Sequence, residues 1–309
     1  MKLKTYQKIE GIKSPIMLAA WPGVGNVGIR AVDYLRRKLK LEPLAEIEAP
    51  EFTIPEAVIV DKGQVQLPLM PRNMFYYKKS TSFNLIVFEG EVQLRPKPTL
   101  LLIDSILKFA KDLGVKTIFT AAAFPVPMRL EEPPKVYSAG TTKKLRDLML
   151  NEYHLKPLDM GEIVGANGLL VGQSEQYDIP AACLLSTIPA YAIGFPNPQA
   201  SRAIVKVFEQ ILKIKVNLSE IDLQIQELVK DLSEIRKHIK EQFYDIGQEE
   251  TINDKEEEVI PFVVRKKIEQ LFYEAKNDKK KAYMLKEELD KWNLFNLYED
   301  RFLDLFKTK

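Results

Sequence analysis

Short apolar runs alternate with helix-period stretches over the first two thirds of the chain. Apolar runs at 16–20, 44–47, 57–60, 64–67, 84–89, 117–122 and 182–187 predict strands. Amphipathic stretches at 26–39, 98–113, 141–150, 169–177 and 198–212 predict helices. Strands alternating with helices predict one α/β domain over 1–216, doubly wound on a mainly parallel sheet. Leu85, Ile86, Val87 and Phe88 form the unbroken apolar run of a strand covered on both faces. Residues 124–134 include Pro125, Pro127, Pro133 and Pro134, which predict a surface loop, because proline fixes φ and removes a donor.

The clearest periodic signal follows. Leu218, Ile221, Ile225, Leu228, Leu232, Ile235 and Ile239 recur at alternating spacings of three and four. A helix over 217–247 with this stripe buries apolar surface worth on the order of 10 kcal/mol gross, so the stripe needs a partner. Two readings stay open: an intramolecular hairpin with the tail, or a self-association helix. Residues 248–260 are acid-rich and read as a linker, and 261–309 read as a small helical module with a largely aromatic core.

The first helix is preceded by a turn rich in glycine. Gly23, Gly25 and Gly28 follow the run 16–20 in the spacing G-x-G-x-x-G, with Asn26 between them. Strand, glycine turn and helix in this order match a dinucleotide-binding fingerprint, and Glu46 or Glu48 is the candidate ribose-binding acid. The structural reading is a tight strand-to-helix junction. A second glycine turn contains Gly165, Asn167, Gly168 and Gly172. Gly23, Gly25, Asn26, Gly28, Asn167 and Gly168 are the candidate ligand-binding set.

Other chemistry is thin. Cys183 is the single cysteine and lies in an apolar run, which indicates a buried structural thiol and a reducing, cytoplasmic setting. His154 and His238 have no nucleophile nearby in sequence, and no Cys/His spacing suits zinc. Asp61, Glu89, Glu91 and Asp104 either meet at strand ends or are solvated surface acids, and the second reading is favoured. No metal, cofactor or catalytic residue is expected. Residues 217–309 hold 17 Lys+Arg and 22 Asp+Glu within a chain of net charge +2, a balance that does not indicate nucleic-acid binding. No apolar stretch has membrane-spanning length, and the N-terminus has no signal core. Abundant Lys and Glu with one Cys fit a thermophilic source.

Several separated blocks resemble the archaeal and bacterial branch of the proteasome assembly chaperone family: 21–28, 165–172, 182–187 with 195–200, and the segment at Lys135, Val136 and Tyr137. The resemblance covers about the first 210 residues. It implies a three-layer α/β/α fold similar to nucleoside phosphorylases without their chemistry, with a C-terminal helical extension. It also implies a homo-oligomer that contacts other proteins, proteasome subunits among them. On that view the glycines are architectural, and the stripe from Leu218 to Ile239 is an interaction surface. Archaeal relatives that engage the proteasome core can end in a hydrophobic residue, tyrosine and one more residue. This sequence ends Lys307, Thr308, Lys309, and the similar Leu297, Tyr298 and Glu299 are internal, so docking by that route is not expected. The leading expectation is a non-enzymatic scaffold. The alternative is a nucleotide- or small-molecule-binding enzyme, an ATP-dependent ligase or a nucleoside-type transferase, that uses the Gly23–Gly28 turn. A heteromeric adaptor is the third possibility.

Overall fold

The computed structural model describes residues 1–9, 11–53, 57–230, 262–275, 279–292 and 294–305. The chain divides into two compact units, Met1–Gln242 and Phe243–Lys309.

The first unit is built on a nine-stranded sheet. Its strands are β1 (Lys2–Thr5), β2 (Ile16–Ala20), β3 (Glu42–Glu48), β6 (Asn73–Lys79), β7 (Asn84–Gly90), β8 (Thr117–Val126), β9 (Val136–Gly140), β10 (Lys156–Pro157) and β11 (Ala181–Pro189). The spatial order is β1-β3-β6-β7-β2-β8-β11-β9-β10. Strands β7, β2, β8 and β11 run parallel at the centre. On one flank β6, β3 and β1 are antiparallel to their neighbours, and on the other β9 is antiparallel to β11. The sheet is therefore mixed, which corrects the expectation of a mainly parallel one. The correction comes largely from β1, β6 and β9, which the apolar pattern does not flag. All four residues of β1 are exposed, and β6 carries Tyr76, Tyr77, Lys78 and Lys79.

Alternation along the central strands fills two cores. Leu18, Val87, Phe119 and Leu184 face one side and pack with α1 (Val27–Lys38), α3 (Lys143–Asn151) and α5 (Pro198–Leu212). Met17, Ile86, Phe88, Ile118 and Cys183 face the other and pack with α2 (Pro96–Asp112) and α4 (Ala166–Ser174). Helix α5 starts where the sequence predicts, because the Asn197 side chain accepts from the Ala200 amide and Pro198 follows it.

The region read as a proline loop begins as strand. Strand β8 runs on to Val126, with Phe124 beside Thr187 and Pro125 beside Ile188. Strand β2 stops pairing with β8 at Thr120, so beyond that row β8 has a strand on one side only. A proline is accommodated there because its missing donor faces no strand. The runs at 57–60 and 64–67 do not join the main sheet. They form a separate hairpin, β4 (Ile59–Asp61) and β5 (Gln64–Gln66).

The heptad helix begins as helix 219–230, α6, and its first turn belongs to the first unit's own core. Leu218 and Ile221 are buried beside α1 and α5. Tyr34 Oη donates to the Asn217 carbonyl at 2.7 Å, and Arg37 and Lys38 both pair with Glu220. Ile225 and Leu228 are half-buried, while Leu223 and Val229 are exposed. Leu232, Ile235 and Ile239, together with His238 and the acidic linker, lie outside the described residues.

The second unit contains α7 (Phe262–Ala275), α8 (Lys279–Lys291) and α9 (Phe295–Asp304). Ile268, Phe272, Leu285, Leu289 and Phe302 form its core. Tyr298 stacks near Phe272 with ring centroids 5.7 Å apart. No described helix is long and apolar enough to cross a membrane.

Candidate functional site

Two glycine turns meet at the carboxyl ends of β2 and β8. The first leaves β2 after Trp21 and enters α1, and the second enters α4 at Gly165. Between them lies a crevice of about 500 Å³. Trp21, Val24, Val27, Ala121, Phe124, Ile163, Val164 and Leu185 make its wall largely apolar. Gln93, Asn167 and Glu162 supply its polar side chains.

Sequence separation hides how tightly these turns are tied. The Trp21 amide donates to Asn167 Oδ1 at 3.3 Å, and Thr120 Oγ1 donates to the Asn167 carbonyl at 3.0 Å. Gln93, which the sequence reading passed over, bridges the two turns. Its Nε2 donates to the Pro22 carbonyl at 2.6 Å, and its Oε1 accepts from the Ala166 amide at 3.3 Å. A lone glutamine in a loop carries no pattern that signals such a role.

The candidate ligand residues divide. Gly23, Gly28 and Asn167 line the crevice, whereas Gly25, Asn26 and Gly168 are not part of its lining. The Gly25 amide donates to the Ile193 carbonyl at 3.3 Å and the Asn26 amide to the Gly23 carbonyl at 2.9 Å. The Gly25 carbonyl in turn accepts from the Asn197 amide at 2.9 Å. An anion at this turn therefore has to compete for donors already in use. Asn26 adopts a left-handed conformation, φ 49, and makes no side-chain cap to α1.

The fingerprint also fails on topology. In a dinucleotide fold the strand after the glycine helix lies beside the first. Here β3 lies three strands from β2, roughly 14 Å away at sheet spacing. Glu46 is held by Arg72 and Tyr6, and Glu48 pairs with Lys4 across the edge of the sheet. Neither occupies the ribose-acid position.

The four acids do not converge. Asp61 is exposed on the β4–β5 hairpin, Asp104 bonds Lys108 and Tyr177 on α2, and Glu91 accepts from the Arg72 amide. Glu89 corrects the expectation of solvated acids. It is buried and takes both its bonds from Arg36 Nε, at 2.8 and 2.9 Å. Burial pushes its carboxyl up to about 7, against the pull of the Arg36 guanidinium. Arg36 also stacks over the Tyr76 ring at 4.6 Å and pairs with Asp33. Cys183 is wholly buried, which pushes its thiol up to about 12. His154 is exposed in the turn after α3. Among the described residues, no group of three or more His, Cys, Asp or Glu side chains is arranged to hold a metal ion.

Comparison with known proteins gives one family. The PAC2 family model matches residues 17–242. A curated relative, an uncharacterised protein of Methanocaldococcus jannaschii, is 27% identical over 233 residues, which span 75% of this chain and 87% of that protein. Pyrococcus furiosus PbaB, described as an archaeal proteasome activator, superposes with a TM-score of 0.66 at 25% identity, covering 76% of this chain and 98% of that one. Pyrococcus furiosus PbaA, described as an archaeal homolog of proteasome-assembly chaperone, gives 0.59 at 19% identity, covering 78% and 99%.

Proposed function

The chain belongs to the PAC2 family, and from that premise we propose that it is a non-enzymatic, oligomeric scaffold that binds other proteins, proteasome subunits among them. Its first unit serves as a three-layer α/β/α platform of the nucleoside-phosphorylase kind. The observation that carries this reading is the use of the glycine-turn donors inside the protein. With the Gly25 and Asn26 amides bonded to Ile193 and Gly23, the motif works as a junction between strand and helix. The similarity to PbaB across nearly that whole chain supports a proteasome-related partner.

The stripe continued by Ile225, Leu228, Leu232, Ile235 and Ile239 is proposed as a self-association surface beyond the first helical turn. A reducing cytoplasm suits the single buried thiol. The test is direct. The full chain is mixed with purified proteasome core particle, and co-elution and peptide hydrolysis are followed. Co-elution with altered hydrolysis is expected; no co-elution at micromolar concentrations overturns the proteasome reading. Light scattering of Ile225→Asp with Leu232→Asp tests the helix, and unchanged mass removes it from the interface.

The enzyme alternative has its own check. Millimolar nucleotide that raises the melting temperature would favour it, because ligand bound to the folded state stabilises by mass action.

A further inference from the structure

The β4–β5 hairpin has the pattern of a covered element, yet its apolar face is open. Val60 stands opposite Val65 on one face of the hairpin, and Val58 and Leu67, which flank the strands, fall on the same face if the alternation continues. Val58, Val60, Val65 and Leu67 are 51%, 64%, 68% and 74% exposed. The two-residue turn Lys62-Gly63 has φ of 47 and 79, so the hairpin is well formed at its tip. A lone two-stranded hairpin is marginal in water, and an apolar face left wet adds to the cost.

The hairpin springs from the same end of the sheet as the crevice. Ala20 stands beside Glu89, Glu89 beside Met74, and Met74 beside Glu46. The chain leaves β3 two residues past that row and re-enters β6 one residue before it. Strand β6 is two strands from β2, roughly 10 Å. Around the crevice, Met160, Val164, Ile193 and Phe195 are each more than half exposed. One end of the sheet thus carries an apolar ridge and an apolar groove.

We propose that this end is an interface between two copies of the chain, with the hairpin of each copy seated in the crevice of the other about a two-fold axis. The proposal rests on the self-association read above and adds a second surface to the helical stripe. A second copy is the occupant because it covers ridge and groove together, whereas a partner with only one of them leaves the other wet. The exposed apolar side chains amount to several hundred Å², on the scale of the roughly 800 Å² that each partner gives a standard interface. Charge agrees. Glu162 is the one charged residue in the crevice lining, and Lys62, next to Asp61, is the one cation between 57 and 70.

Sedimentation and light scattering of the full chain test this. Val65→Asp is expected to halve the mass. Lys62→Glu and Glu162→Lys are each expected to weaken association about tenfold or more, since like charges then meet. The double variant Lys62→Glu with Glu162→Lys is expected to return to within about threefold of the parent. The charge swap leaves the apolar face intact, so it decides the matter if Val65→Asp fails to fold. Unchanged mass in folded Val65→Asp, or a double variant no tighter than the singles, overturns the interface. A parent chain that is a single particle at every concentration overturns the self-association reading as well. An oligomer broken by Ile225→Asp but not by Val65→Asp overturns only the interface proposed here.

Discussion

Gly28 lies so close to strand β8 that a Cβ built on it would stand 1.9 Å from the Ala121 carbonyl oxygen. The contact is backbone to backbone, so no rotamer change relieves it. Gly28→Ala is expected to destabilise the first unit by more than about 2 kcal/mol, read by urea denaturation. A loss below about 0.5 kcal/mol would show that α1 can shift away from β8 and that the glycine is not architectural.

Gln93 ties together two turns that are far apart in sequence. It donates to the Pro22 carbonyl and accepts from the Ala166 amide. Gln93→Ala is expected to cost about 1–2 kcal/mol, because it leaves both groups without this partner. Gln93→Glu is expected to cost at least as much, since a carboxylate cannot donate to the Pro22 carbonyl. Amide exchange at Ala166 checks the accepting side locally: it is expected to speed up in Gln93→Ala and not in Gln93→Glu, whose carboxylate still accepts from that amide.

How much of this was legible follows from where each signal resides. The strand Asn84–Gly90 and the helix Pro198–Leu212 are readable because their signals are local: an unbroken apolar run, and an Asn-Pro start with an amphipathic body. The two glycine turns are legible as turns, and their meeting at one crevice is not, because pairing of β2 with β8 brings them together. Gln93 is invisible for the same reason. The antiparallel flank is hidden by chemistry. Strand β6 offers tyrosines and lysines where a buried strand would offer valine or isoleucine, so its pattern reads as loop. Glu89 sits at the end of the most legible strand, yet its burial depends on Arg36 from another element.

That burial makes Glu89 a titrating group near neutrality. Its carboxyl is pushed up to about 7 from the ordinary 4.5, mainly by burial, while Arg36 opposes the shift. The folded state therefore prefers the protonated form. Its contribution to stability is fully present below pH 4.5 and is lost as pH rises through about 7. Carbon-detected NMR is expected to show one glutamate titrating near 7, absent in Glu89→Gln. Glu89→Gln is also expected to remove this downward slope of stability between those pH values. A Glu89 midpoint near 4.5 would mean that Arg36 fully offsets burial.

Burial along the heptad stripe is uneven. Leu218 and Ile221 are buried among α1 and α5 side chains, Ile225 and Leu228 are half-buried, and Leu223, on the same helix but off the stripe, is 57% exposed. Truncating a buried isoleucine removes transfer energy and leaves a cavity, so Ile221→Ala is expected to cost about 2–5 kcal/mol. Leu223→Ala touches an exposed side chain and is expected to stay within about 0.5 kcal/mol. Light scattering separates a core role of Ile221 from an intersubunit one. If the first turn belongs to the core, Ile221→Ala lowers stability without lowering the mass of the folded protein. A variant that keeps its stability and loses mass would instead place Ile221 in an intersubunit seam, and the helix would have to detach from α1 to reach it.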